Sequence, residues 1–207
     1  MSNAPHHVKY PEVLETLLEL LKGIPGVGKR SAERMALAIL KWDDAKILAL
    51  SETLRDLKKR VTLCPECGNL SSDGAVCSIC VSPLRDPTTI CVVEESTQIR
   101  TIEAGSVFRG LYHVLGGRIA PLEGKTVEAL TIDKLERRLD SGAVKELILA
   151  LSPDVEGQAT TVYIANRLKG RGLKISCLAR GLPAGSDLSY ADPATVAAAL
   201  HGRTPFD

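Results

Sequence analysis

The sequence predicts an α/β protein: a small N-terminal helical region, a four-cysteine metal finger, a mostly parallel sheet flanked by helices, and a C-terminal helical segment. Three observations predict it. Leucines and alanines recur at helical spacing on both sides of the glycine-rich stretch GIPGVGKRSAERM. Two C-x-x-C pairs stand within 17 residues. Short β-branched runs then alternate with helix-like stretches, the order that gives right-handed crossovers and a parallel sheet covered on both faces.

The elements follow in chain order. Leu14, Leu17, Leu18 and Leu21 mark a first helix, and Ala32, Met35, Ala36, Ile39 and Leu40 a second. A third runs from about Asp43 to Arg60, with Ile47, Leu50, Leu54 and Leu57 on one face and Arg55, Lys58, Lys59 and Arg60 at its end. Those cations suit a helix C-terminus; contact with nucleic acid is the alternative. TTICVVEE, LYHVLGG, VKELILAL and LKISCLA read as strands, with helical stretches DKLERRLDSG and GQATTVYIANRLKGRG before the last two. With 207 residues, 44% of them hydrophobic, the chain can bury one sizeable core and smaller satellites, not two full-sized enzymatic domains.

Cys64, Cys67, Cys77 and Cys80 form the pattern C-x2-C-x9-C-x2-C, and each C-x-x-C turn can place two thiolates on one tetrahedral zinc at about 2.3 Å. Four sulfurs close the shell, so such a zinc is structural and its binding energy is folding energy. Gly68 and Gly74 suit the tight turns. Cys91 and Cys177 lie in apolar runs and are expected to be buried thiols without chemistry.

GIPGVGK comes close to a phosphate-gripping G-x-x-x-x-G-K loop, but Arg30 stands where Ser or Thr would hold magnesium. LLELLK before it is amphipathic helix rather than the strand such a loop needs. A helix-hairpin-helix fits better: Pro25 stops one helix, Gly26 and Gly28 take unusual backbone angles near a phosphate, and Ser31 caps the next helix. Lys29, Arg30 and Arg34 would then surround the DNA backbone, giving sequence-independent, salt-sensitive binding. A plain helical hairpin with solvated cations is the alternative.

The net charge of +1 gives no global drive toward nucleic acid, although residues 1–63 carry 11 Lys and Arg against 8 Asp and Glu. Aromatics at 3% argue against a base-stacking platform. No run of 18 apolar residues occurs and the N-terminus lacks the order of a signal peptide, so a cytoplasmic protein is expected. His6 and His7 read as part of a polar terminus.

Carboxylates gather where strands end: Glu94 and Glu95 after CVV, and Asp154 and Glu156 in SPDVEG, the edge at which an open parallel sheet does its chemistry. V-V-E and x-P-D-x-E-G resemble the Toprim domain of topoisomerases and primases, in which a glutamate and an Asp-x-Asp pair hold magnesium. Ser152 replaces the first Asp of that pair, which puts a complete magnesium cage in doubt.

Taken in order, the hairpin, the cysteine knuckle, RDPTTICVVEE, GLYHVLGGRIAPLEG, SPDVEGQATTVYIANRL and ARGLPAGSDLSYAD resemble the RecR family of bacterial recombination mediators across nearly the whole chain. The resemblance implies a helix-hairpin-helix DNA-binding region at 1–62, a four-cysteine zinc finger at 63–82, a Toprim domain at 87–182 and a C-terminal assembly segment at 183–207. It implies a non-enzymatic protein that binds single- and double-stranded DNA as a ring-like homotetramer and acts with RecO or RecF to help load RecA. The chain departs from the family at Lys29, where proline is usual, and in GLPAGSDLSY, near the assembly segment. Two other readings stand beside the mediator: a magnesium-dependent Toprim enzyme using Glu94, Asp154 and Glu156, and an acidic rim on which a basic partner docks.

Overall fold

The computed structural model describes residues 9–205, so His6 and His7 lie outside the described residues. The described residues divide into two compact units, one ending at Lys59 and the other beginning at Arg60. No helix among the described residues is long and apolar enough to cross a membrane.

The first unit is helical: α1 (Glu12–Lys22), α2 (Lys29–Ile39) and α3 (Asp44–Arg60). Glu12 and Glu15 in the first turn of α1 and Lys22 in its last complement the helix dipole. Ala32 and Ala36 are fully buried on α2, where their small side chains let α1 approach closely. Met35 and Leu40, expected on the buried face, are 40% and 67% exposed. Along α3, Ile47, Leu54 and Leu57 are exposed too. Helices this few cover only part of their apolar surface.

The second unit begins with an antiparallel pair, β1 (Val61–Leu63) and β2 (Leu70–Ser72), followed by the short α4 (Ser78–Val81). Then come β3 (Asp86–Val93), α5 (Ser96–Ala104), β4 (Gly110–Val114), α6 (Ile132–Leu139), β5 (Glu146–Leu149), α7 (Val155–Arg167), β6 (Lys174–Cys177) and α8 (Pro193–His201). The strands β3 to β6 form one parallel sheet in the order β4-β3-β5-β6, as the alternation of strands and helices predicts. Alternation along β3 builds a core on each face. Ile90 and Val92 join Leu135, Leu139, Ile164 and Leu168 on the side of α6 and α7, while Cys91 and Val93 join Tyr112, Val114 and Ile99 of α5 on the other. The helix α5 has no clear signature in the sequence, because STQIRTIEAG offers few apolar positions.

Buried polar groups are satisfied within this frame. His113 in β4 is 1% exposed; its Nε2 meets the Thr131 hydroxyl at 2.9 Å and its Nδ1 faces Arg138 at 3.3 Å. Burial, with Arg138 beside it, pushes its pKa down to about 4, so the ring is neutral. Cys91 is buried as expected, but Cys177 is exposed: it ends β6, an edge strand.

Candidate functional site

The hairpin between α1 and α2 is a chain of tight turns. Gly23 N–H reaches back to Glu19 and Leu20, Ile24 N–H to Leu21, and Val27 N–H to Ile24 at 3.0 Å. Gly26 takes φ +82°, a left-handed angle that favours glycine. Gly28, also expected at an unusual angle, is instead in ordinary extended backbone at φ −82° and ψ 173°, and it rather than Ser31 is the residue before α2, with no side-chain cap. Ser31 lies inside the first turn because the helix already starts at Lys29. The first turn of α2 therefore presents uncapped N–H groups and contains no acidic residue. Lys29, Arg30 and Arg34 are exposed.

The metal knuckle is built on two glycine turns, Gly68 at φ +75° and Gly74 at φ +76°. Sulfur atoms of Cys64, Cys67, Cys77 and Cys80 all lie within 4.8 Å of one another, and Cys67 and Cys77 sulfurs are 3.5 Å apart. Four sulfurs around one zinc stand roughly 3.8 Å apart, so the set fits such an ion. The backbone is arranged for thiolates: Cys77 N–H points at the Cys64 sulfur at 3.3 Å and Asn69 N–H at the Cys67 sulfur at 3.5 Å. Burial would raise the Cys64 pKa, but N–H donors of Cys77, Cys67 and Glu66 outweigh it and bring the thiol below its ordinary value, while the Cys80 thiol and burial push Cys67 up. The knuckle is stitched to the sheet by Val114 N–H donating to Cys67 O at 2.7 Å. A side chain at Gly68 would press on Val114 O at 3.1 Å.

The acidic residues meet at the C-terminal ends of β3 and β5. Glu94 is only 8% exposed, and both oxygens accept from one residue: Ser152 N–H at 2.7 Å and Ser152 Oγ–H at 3.0 Å. Asp154 caps α7, accepting Gly157 N–H at 2.8 Å. A Cβ at Gly157 would collide with the Ser152 carbonyl, so glycine permits this close approach. Arg118, which no sequence motif singles out, forms an ion pair with Asp154. Burial alone would lower the Arg118 pKa; Asp154, Glu94 and Glu156 around it raise it above its ordinary value. Gly116 and Gly117, both at positive φ, turn the chain out of β4, and Ile119 N–H pins the turn to the buried Thr160 hydroxyl at 2.9 Å. Glu156 is half-buried and makes no ion pair among the described residues. A lone arginine after a Gly-Gly turn at this sheet edge was the available signal.

Known families match in the same order as these features. The pattern described as RecR, helix-hairpin-helix matches residues 14–58, the Toprim domain residues 88–179, and RecR, C-terminal residues 181–204. The chain is 45% identical over 198 residues to the recombination protein RecR of Acidothermus cellulolyticus, covering 96% of this chain and 99% of that one. It is 44% identical to RecR of Streptomyces avermitilis over 96% and 99%, and 46% identical to RecR of Rippkaea orientalis over 96% and 100%.

The four clustered sulfurs are placed to hold one metal ion, and in a segment this short such binding would be folding energy. Elemental analysis of protein purified without chelator should find one zinc per chain, and Cys64→Ser should lose it and lower the melting temperature by about 10 °C or more. Metal-free wild-type protein with an unchanged melting curve would contradict this.

Proposed function

The chain belongs to the RecR family, and from that premise we propose that it is a non-enzymatic DNA-binding mediator of recombinational repair. It closes as a ring-like clamp on DNA and acts with RecO or RecF to help load RecA onto gapped single-stranded DNA. In this reading residues 1–62 bind DNA, 63–82 hold a structural zinc, 87–182 carry the acidic rim and 183–207 serve assembly.

The observation that carries the reading is the start of α2. Helix N-termini favour anions, yet this one holds Lys29 and Arg30 in its first turn, with Arg34 one turn on and no acidic residue or side-chain cap. A phosphate resolves that conflict: free N–H groups bind it while the cations neutralise it. Assembly supplies charge density that a chain of net charge +1 lacks, because a ring repeats the hairpin around one DNA. The exposed Leu20, Leu48, Leu54 and Leu57 of the helical unit support such an assembly.

The acidic site does not fit magnesium. A divalent cation seeks several fixed, open oxygens, whereas Ser152 engages both oxygens of Glu94 and Gly157 N–H and Arg118 engage those of Asp154. Arg118 places a cation among these carboxylates, which supports a role without phosphoryl chemistry. Glu156, unpaired beside it, is the carboxylate offered to a basic partner such as RecO, with Asp154 at its side and Glu94 setting the loop from behind.

Replacing both arginines, Arg30→Ala with Arg34→Ala, should weaken DNA binding equally on all sequences and reduce the log–log salt slope by about 1 for each phosphate no longer neutralised. Titrations at several salt concentrations check this, and an unchanged slope would reduce the hairpin to a structural element. Ser152→Asp sets a second carboxylate against Glu94. Its melting temperature should fall by about 4 °C or more without metal and recover in magnesium, while the wild-type melt ignores magnesium; wild-type stabilisation by magnesium would return the enzyme reading. Finally, Glu156→Lys should weaken binding to RecO by about tenfold and leave DNA affinity intact. Calorimetry giving equal RecO affinity for both proteins would remove this residue from docking.

A further inference from the structure

The charges of α6 are sorted onto two sides. On one, every carboxylate is paired: Asp133 and Glu136 with Arg167 at 2.7 and 2.8 Å, and Asp140 with Arg171 at 2.7 Å. On the other stand Lys134, Arg137 and Arg138. Arg138 turns inward, donating to Tyr112 O at 2.7 Å. Lys134 and Arg137 are not buried and make no ion pair among the described residues.

These cations border a cavity of about 550 Å³, within the range of ligand sites. Its floor is aliphatic, formed by the exposed Pro65 of the knuckle and Pro87 of β3 with the half-buried Leu111, and the buried Ile90 and Val144 line it beneath. Glu66 is the one acidic residue in its lining, so positive charge prevails. No aromatic ring is present on which a base could stack, and a sugar–phosphate chain has no use for an aliphatic floor. A protein segment with carboxylates beside aliphatic side chains satisfies both halves of the surface.

We propose that this groove docks a short acidic, aliphatic segment of a partner protein, with carboxylates on Lys134 and Arg137 and an aliphatic side chain over Pro65, Pro87 and Leu111. The occupant has the opposite charge from the basic partner of the acidic site, so the two surfaces recruit different partners. Pro65 and Glu66 lie between the ligands Cys64 and Cys67, which makes the knuckle part of the groove wall and gives it a use beyond folding.

The probe is a fluorescein-labelled peptide of alternating Asp and Leu, titrated with zinc-loaded full-length protein and followed by anisotropy. It should bind saturably, and a peptide of alternating Lys and Leu should not. Lys134→Glu with Arg137→Glu should weaken binding by about tenfold or more, the neutral pair Lys134→Gln with Arg137→Gln by less, with zinc content, melting temperature and DNA affinity as in wild type. Absence of saturable binding, or equal affinity in wild type and both variants, overturns the proposal. So does displacement of the peptide by an oligonucleotide together with a loss of DNA affinity in the Glu variant, which would make the groove a phosphate site.

Discussion

The buried carboxylate of Glu94 and its two hydrogen bonds from Ser152 organise the end of the sheet. They tie the end of β3 to the loop after β5 through a side chain that is 8% exposed, and hydrogen bonds to such a charged group contribute about 2 kcal/mol each. With Ser152 held there, Asp154 sits where it caps α7, Gly157 passes against the Ser152 carbonyl, and Arg118 reaches Asp154. A carboxylate at the same place would confront Glu94 and demand a cation; a serine donates a proton and removes the demand.

The same economy governs the other two features. The knuckle, whose clustered core consists of three buried cysteines with Ile79 and Cys80 packed against them, has its four sulfurs placed to hold one metal ion and docks on the end of β4. The hairpin presents a helix end left uncapped and surrounded by cations. Net charge predicts neither, since both depend on where a few groups are fixed.

Much of this was legible in the sequence, for physical reasons. Cysteine spacing is a direct geometric constraint, and β-branched runs separated by crossover helices admit few topologies, so the knuckle and the parallel sheet could be read from pattern alone. Glu94, Asp154 and Glu156 could be placed at strand ends for the same reason. Burial and partnership could not be read. Arg118 is 36 residues from Asp154 in sequence, and only the fold brings it there. Cys177 looked buried because its run is apolar, but an edge strand leaves one side open. Ser31 looked like a cap because serine favours that position, yet the extended Gly28 ends the hairpin first.

The central claim is that the chain grips DNA as an assembly and does not act on it chemically. Native mass spectrometry of the zinc-loaded protein with gapped DNA and magnesium tests both halves at once. The expected result is a tetramer on one DNA whose mass is unchanged after prolonged incubation. A single chain per DNA, or DNA shortened or extended in the complex, would contradict it.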